Sequence, residues 1–435
     1  VKRFLTPLAL VALALVVRIV PVALFGTEAA DLGTYRDMAL TVSRGDDVYA
    51  RSVYFPYTPH SQFLPAIALA LSRGAHIRFD LAMRLESIAA DAATVWILFA
   101  GLLAEGVSRR RATFAALLYA LNPVAILVSA FHANLMSLLA CFLLGALVAA
   151  RAAVRRDADP ARSADAALLR ASSALLLGLT IAMRSFPVLL LPFYLLVCAR
   201  TLKRAAVYTL LASAASITSI APYLLYDRGA FLREVLAYSG AGDFGWVAAL
   251  RWTAFLHGRE FPAAYTMLPA TKPLFLSAYA IALAVFLARG GDPRRGLLLA
   301  PLLFYTVYGG VASQYLVWVV PIAAYLGERF LWPYTVAATT ALVPFYWQNH
   351  PGILFGRLAG RFPVPLVAER FLPWANVLFV LVSWAWLVAL FAARTEESAL
   401  FAKRRRVILV GAAVCVVVWI VFAVTVVERV LGRSG

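Results

Sequence analysis

The chain has 435 residues, 63% of them hydrophobic, and a formal net charge of +18; its mean hydropathy is +0.82. That composition excludes a single soluble domain, because apolar runs of roughly 18 to 22 residues recur to the end of the chain, the length at which a helix crosses hydrocarbon. The positive charge forms no continuous stripe, so nucleic acid is not an expected partner; it lies in short clusters between apolar runs, the footprint of membrane topology.

The first run, residues 4 to 25, has Arg18 inside it. It is too long for a signal-peptide core and lacks a small-residue cleavage site, so it is expected to stay as an anchor. An acidic, tyrosine-rich stretch follows over residues 26 to 62, with Glu28, Asp31, Asp37, Asp46 and Asp47. Residues 63 to 72 are apolar but reach only about 15 Å, against roughly 30 Å of hydrocarbon. If they crossed, the later basic clusters would face the other way, so they are expected to form an interfacial or re-entrant helix continuous with the acidic loop. Further runs at 83 to 104, 133 to 150, 205 to 225, 273 to 288, 371 to 392 and 407 to 427 read as spans, with shorter ones such as 166 to 183 and 184 to 200 between them. The whole predicts an all-α integral membrane protein with about thirteen spans.

Clusters at Lys2 and Arg3, Arg109 to Arg111, Arg151 to Arg156, Arg200 to Arg204, Arg289 to Arg295 and Lys403 to Arg406 are expected on the cytoplasmic side. The outer side then receives the loops 26 to 82, 226 to 272 and 348 to 370, and the turns near His132, Arg184 and Gln314. Residues 151 to 165 read as a solvated inner linker. Cys141, Cys198 and Cys415 lie in or beside apolar runs and read as packing residues, with no disulfide framework or metal spacing. No phosphate-binding glycine loop or paired-histidine helix motif is present, and five scattered histidines outline no metal site. No cofactor is expected.

Asp91 is a carboxylate well inside a span, where such groups are costly and usually paired or functional. Arg18 is its expected partner. Asp31 has two readings, as an N-cap of the helix beginning near Leu32 or as a general base. Tyr54, Tyr57, Pro59 and His60 lie in YFPYTPH, where proline breaks can turn the chain toward the bilayer. With His132 and Asn134 at a second outer turn and Gln314 and Tyr315 at a third, these groups can converge on one small pocket. The bland alternative for the aromatic residues is an interfacial belt.

The runs AADLGTYRDMALTVSRGDDVYARSVYFPYTP, RLESIAADAATVWILF, ALNPVAILVSAFHANLMSLL, MRSFPVLLLPFYLL and SQYLVWVVP resemble the integral-membrane glycosyltransferases of the GT-C superfamily. Within it they resemble the catalytic subunit of GPI mannosyltransferase I and bacterial polyprenyl-phosphate-mannose-dependent mannosyltransferases. The resemblance covers roughly residues 1 to 330 as a GT-C-like catalytic module and leaves 331 to 435 as additional transmembrane helices of one polytopic domain. It implies transfer of a sugar, mannose by analogy, from a polyprenyl-phosphate donor to a lipid or glycan hydroxyl on the extracytoplasmic side, with inversion. Membrane lipids and a small membrane subunit are the other partners it implies. Asp31 matches the family's catalytic loop carboxylate, followed at matching spacing by Asp37, Gly45 and Tyr49.

Two departures stand out. Ala29 occupies the place of the first acid in an Asp-x-Asp pair, and HANLMS at 132 to 137 lacks an acidic residue. Arg184, where relatives carry Lys or Arg, is the first candidate for donor phosphate, since a guanidinium binds phosphate bidentately; Arg228 and Arg233 are further candidates. Asp37, Tyr57, His60, His132, Asn134, Gln314 and Tyr315 are expected to shape the substrate pocket. A secondary transporter or lipid flippase, and a noncatalytic subunit of a glycosylation complex, are the alternative readings. The Ala- and Arg-rich composition points to a bacterial plasma membrane.

Overall fold

The computed structural model describes residues 2–25, 31–51, 56–257, 262–362 and 366–392. The expectations that concern Glu28, Ala29, Tyr54, Cys415, the 403–406 cluster and the 407–427 run lie outside those residues.

The described chain is helical, with one isolated backbone bridge between Phe244 and Val311. Its first half consists of α1 (Lys2–Phe25), α2 (Leu32–Ser43), α3 (Phe63–Gly74), α4 (Phe79–Ala104), α5 (Arg109–Ala120), α6 (Pro123–Ile126), α7 (Met136–Arg156), α8 (Ser163–Met183), α9 (Leu191–Cys198) and α10 (Leu202–Tyr226). The second half adds α11 (Arg228–Phe231), α12 (Gly245–Leu256), α13 (Pro262–Ala288), α14 (Pro293–Gly296), α15 (Leu299–Val307), α16 (Val320–Leu326), α17 (Leu331–Asn349), α18 (Pro351–Phe355) and α19 (Leu366–Ala392). Among the described residues 7 helices are long and apolar enough to cross a bilayer, and 8 if the pair Arg109–Ala120 and Pro123–Phe131, bent by 45°, is one span. This is a multi-pass integral membrane protein.

Several sequence boundaries have visible causes. The α8 helix ends where Arg184 turns extended (φ −152°, ψ 137°), just before Pro187, so the runs 166 to 183 and 184 to 200 are separate pieces. Residues 63 to 72 fall within α3, Phe63–Gly74, 12 residues long, or roughly 18 Å. It exposes Phe63, Ile67 and Leu71 along one stripe and buries Leu69 on the other side, as an interfacial helix does. The buried cysteines Cys141 and Cys198 are free thiols.

α1 packs on α4 and α5, α4 on α7, α7 on α8, and α8 on α10. The first of these junctions is held by charge. Arg18 Nε donates to Asp91 Oδ2 at 2.6 Å, and both side chains are fully buried. Tyr119 donates to the other oxygen of Asp91 at 2.6 Å, while Arg18 Nη1 reaches the carbonyls of Ala14 at 3.1 Å and Ala120 at 2.8 Å. Arg18 Nε also lies 3.3 Å from Ser129 Oγ. The expected pairing of Asp91 with Arg18 is therefore present.

At the end of the bundle away from Asp31, basic residues are neutralised. Arg151 and Arg155 share Glu105, Arg170 and Arg204 share Asp157, and Arg295 meets Glu328.

Removing one partner of a buried ion pair strands the other charge, at a cost of about 3–5 kcal/mol. Asp91→Ala is therefore expected to melt well below wild type in detergent. An Arg18→Met/Asp91→Leu chain, which buries no charge, is expected to recover most of the loss. Equal melting of Asp91→Ala and wild type would show that the pair carries no such load.

Candidate functional site

The site is assembled where several helices end on one side of the bundle. Its centre is Asp31, immediately before α2. Asp31 stands at the N-cap position, yet its side chain makes no capping hydrogen bond. Instead Oδ2 accepts from Asn134 Nδ2 at 3.0 Å and lies 3.2 Å from His132 Nε2. The capping reading thus fails on geometry. Oδ1 carries no hydrogen bond among the described residues, and the side chain is 35% exposed.

The partners of Asp31 are aimed by an irregular stretch of backbone. Asn122 caps the helix that starts at Pro123, its side-chain oxygen accepting from Val124 and Ala125 N–H at 3.0 and 3.3 Å. The helix then widens into a π-turn over Leu127–Phe131, with the His132 N–H donating to the Leu127 carbonyl at 2.8 Å. Such bulges insert one residue and redirect side chains, often at functional sites. Ala133 next adopts φ 59°, a left-handed conformation rare for a residue with a Cβ. The result turns both His132 and Asn134 toward Asp31. Tyr346 OH, 2.9 Å from His132 Nδ1, fixes the far side of the ring. Asn134 Nδ2 also donates to Tyr35 OH at 3.0 Å, and its oxygen accepts from Met136 N–H at 3.1 Å.

Asp31 lines a polar chamber with Thr34, Tyr35, Tyr57, His132, Arg184, Tyr238, Asp243, Ser313, Gln314, Tyr315 and His350. A second chamber adjoins it and is mostly apolar, with walls that include Phe186, Val188, Leu189, Phe275, Leu276, Phe304 and Trp318. Pro56, Arg184, Tyr238 and Tyr315 belong to both walls. Lys272 opens onto the apolar chamber.

Arg184 therefore sits at the junction. It is 7% exposed and donates to the Pro56 carbonyl at 2.5 Å and to Tyr315 OH. Its guanidinium lies over the rings of Tyr57, Tyr315 and Tyr238, 4.4, 5.2 and 5.7 Å from their centroids. No carboxylate pairs with it among the described residues. Burial disfavours its charge, but the surrounding tyrosines more than offset this and hold it protonated. Lys272 Nζ likewise donates only to backbone, the carbonyls of Leu236 and of Tyr238, the latter at 3.1 Å.

The two carboxylates of the polar chamber differ. Burial raises the pKa of Asp31, but the hydrogen bonds and charge of His132, with Asn134, outweigh it, and the net shift is downward. Burial, aided by the negative charge of Asp31, pushes Asp243 up to about 6 despite Arg251 and His132; its nearest cation, Arg251, stands 3.9 Å away. Burial, together with the charge of His132, lowers the pKa of His350. Asp243 is placed by the one backbone bridge: the amides of Asp243 and Phe244 both donate to the Val311 carbonyl at 3.0 Å. This loop contact is tight enough that a Cβ on Gly310 would land on the Ser239 carbonyl oxygen.

Of the residues singled out in the sequence, Asp31, Tyr57, His132, Arg184, Gln314 and Tyr315 line the polar chamber, and Asn134 stands behind Asp31. Asp37 is exposed, further along α2, and is not in the chamber wall. His60 lies outside it too, its ring edge-on to Phe63 with centroids 5.9 Å apart and its buried Nδ1 unpartnered. Arg228 and Arg233 are exposed and line neither chamber, because the short helical turns around them point outward; Arg233 meets Glu234 at 3.3 Å. Sequence reading missed Asp243, Lys272, Tyr238 and His350. The glycine-flanked GAGDFG and a lysine at the edge of an apolar run were the available signals.

No family model matches the sequence, and no curated protein matches it significantly. Among solved structures, ArnT from Cupriavidus metallidurans bound to undecaprenyl phosphate is similar, with a TM-score of 0.50 and 17% identity over 88% of this chain and 76% of that one. The same protein in the apo state has a TM-score of 0.48 and 16% identity over the same shares. The likeness to the first is one of fold alone: the chain shares that structure's helical architecture, the all-α fold the sequence led one to expect.

The elevated pKa of Asp243 has a stability consequence. Between the unfolded value of 3.8 and the folded value of about 6, the native state keeps a proton that the unfolded chain has released. Stability therefore falls as pH rises through this window, and the penalty is complete above it. Asp243→Asn is expected to be more stable than wild type at about pH 7.5, by on the order of 1–3 kcal/mol, and so to melt higher, with the gain vanishing near pH 4. A lower melting temperature for the variant at the higher pH would contradict this.

Proposed function

We propose that the chain is a glycosyltransferase that moves a sugar from a polyprenyl-phosphate donor to an acceptor hydroxyl by inverting displacement. The observation that carries this reading is Arg184, a buried guanidinium with no carboxylate partner among the described residues, at the boundary between an apolar chamber and a polar one that holds a carboxylate oxygen with no hydrogen bond among those residues. A buried charge without a counterion is costly, and a phosphate on Arg184 relieves that cost. A donor has the same three parts in the same order: apolar chain, phosphate, sugar. ArnT, whose fold this chain shares, was crystallised with undecaprenyl phosphate.

In the proposed step, Oδ1 of Asp31 takes the proton of the acceptor hydroxyl as that oxygen bonds to the anomeric carbon. The bond between the anomeric carbon and the phosphate oxygen breaks, and its electron pair leaves with the phosphate. Arg184 and Lys272 meet the charge on the departing polyprenyl phosphate. The lowered pKa of Asp31 keeps it in the base form before the step, and His132 and Asn134 hold the carboxylate in place. Asp243, Gln314 and Ser313 are within the same wall and supply hydrogen bonds to sugar hydroxyls. The first isoprene units lie among Phe186, Phe275 and Trp318, where each buried methylene contributes about 0.8 kcal/mol. Mannose is the sugar favoured by the sequence resemblance. The site faces the extracytoplasmic side of what we read as a bacterial plasma membrane, because the neutralised basic clusters gather at the opposite end of the bundle. We read residues 1–435 as a single polytopic domain.

The test is release of polyprenyl phosphate from radiolabelled polyprenyl-phosphate-mannose, with other polyprenyl-phosphate sugars in parallel and membrane lipids as acceptor. Asp31→Asn is expected to lose about 10²–10⁴-fold in turnover with donor binding retained. Arg184→Met is expected to lose donor binding itself. Wild-type turnover in Asp31→Asn would remove the base assignment, and failure of wild type to bind any polyprenyl-phosphate sugar would favour a transporter or a noncatalytic subunit.

A further inference from the structure

The two side chains that meet Oδ2 of Asp31 are secured differently. The amide of Asn134 cannot reverse: its oxygen accepts the Met136 N–H at 3.1 Å, and its Nδ2 donates to Asp31 Oδ2 and to Tyr35 OH, each at 3.0 Å. The ring of His132 is secured by a side chain instead. Its Nε2 lies 3.2 Å from Asp31 Oδ2, and a neutral imidazole carries a hydrogen on only one of its nitrogens. With the hydrogen on Nε2 the ring donates to the carboxylate. With it on Nδ1 the ring turns a lone pair toward Oδ2, and two acceptors face each other across that distance.

Which nitrogen of a histidine is protonated is set by the hydrogen bond that the other makes. The partner of Nδ1 is Tyr346 OH at 2.9 Å. Tyr346 comes from the last turn of α17 and is fully buried. Its ring stands edge-on to the imidazole, at 89° with centroids 5.6 Å apart, so packing holds the two together as well. The phenol has one hydrogen, and Nδ1 and the Ser313 hydroxyl adjoin it. Ser313 gives its own hydrogen to Gln314 Oε1 at 3.1 Å. Of the two possible acceptors the imidazole nitrogen is the stronger, and a phenol hydrogen directed at Nδ1 leaves the ring's own hydrogen on Nε2. That is the one arrangement in which a neutral ring donates to ionised Asp31.

We propose that Tyr346 is a positioning residue: its hydroxyl donates to Nδ1 of His132, selects the tautomer with the hydrogen on Nε2, and so commits Oδ2 of Asp31 to accepting while Oδ1 stays the oxygen that reacts. Tyr346 is not in the wall of the polar chamber, so it acts through His132 and not on a substrate. The tautomer stands without the transferase reading; the kinetic consequence rests on that reading.

The tautomer is read by nitrogen NMR of the full chain in detergent micelles at pH 8, with ¹⁵N-labelled histidine. The chain has five histidines, and the His132 signals are those missing from H132Q. Wild type is expected to show Nδ1 bare and Nε2 protonated, and Y346F to show a hydrogen appearing on Nδ1. A protonated Nδ1 in wild type, or an unchanged ring in Y346F, overturns the proposal whether or not the chain transfers sugar. In turnover of polyprenyl-phosphate sugar, Y346F is expected to lose about 10- to 100-fold in kcat with the donor KM unchanged, the scale of a misaligned reacting group. A glutamine at position 132 presents an amide N–H that has no tautomers, so Y346F added to H132Q is expected to cost less than about two-fold more. Losses that multiply in the double variant would show that Tyr346 does not act through His132 and would overturn the assignment.

Discussion

The Arg18–Asp91 pair is the constraint on which the placement of the site depends. Two charges deep among helices have little water to fall back on, so the helices that carry them are held in one register. Arg18 lies in the helix that leads into the segment before Asp31. Asp91 lies in α4, Tyr119 and the Ala120 carbonyl in α5, and Ser129 three residues before His132. A single polar cluster therefore fixes the relation between the chain segment that presents Asp31 and the one that presents His132 and Asn134. Arg84, fully buried in the same α4, extends this by donating to the Ala130 carbonyl at 2.9 Å. The irregular backbone from Leu127 to Asn134 is stable because it is pinned from both sides, and irregular backbone at membrane depth needs such pinning.

Charge is distributed unequally along the bundle axis. At one end each shared carboxylate, Glu105 or Asp157, takes two arginines. At the other, Arg184 and Lys272 are held by carbonyls and aromatic faces. Such ligands tolerate a cation without neutralising it, which leaves its field available to a ligand. An arginine paired with a carboxylate would spend that field internally, and a phosphate would have to displace the partner. The tyrosine cage of Arg184 thus resembles an anion site prepared in advance, with the geometry set before the ligand arrives.

Much of this was legible in the sequence because membrane proteins restrict where polar groups can sit. The interior Asp91 announced its need for Arg18, and the short run after the acidic loop announced an interfacial helix. Asp31, His132, Asn134, Arg184, Gln314 and Tyr315 all flank span ends, so topology alone brought them to one side. What topology does not encode is the course of the loops. Arg228 and Arg233 are as basic as Arg184, but they sit on helical turns that face outward. Asp243 and Tyr238 reach the chamber through a contact between residues near 240 and 310, made possible by glycines that approach too closely for a Cβ. His350 follows the last residue of α17 and enters only because that helix returns to the site.

In the proposed reaction, the contrast between the two carboxylates separates their roles. A general base must be ionised before the step, and Asp31 meets this because two donors converge on one of its oxygens while the other stays open. The contacts of Asp31 with His132 and Asn134 together outweigh its burial and favour the ionised form. Among the described residues the nearest cation to Asp243 is Arg251 at 3.9 Å, and burial beside Asp31 makes it the carboxylate that takes up a proton first. Neighbouring groups pushed apart in this way divide the labour. Protonation of Asp243 lowers the repulsion that a second anion exerts on Asp31 and on an incoming phosphate, whereas protonation of Asp31 would remove the base. In the proposed reaction the base is thus the carboxylate whose charge is favoured, and Asp243 is the one whose charge burial disfavours.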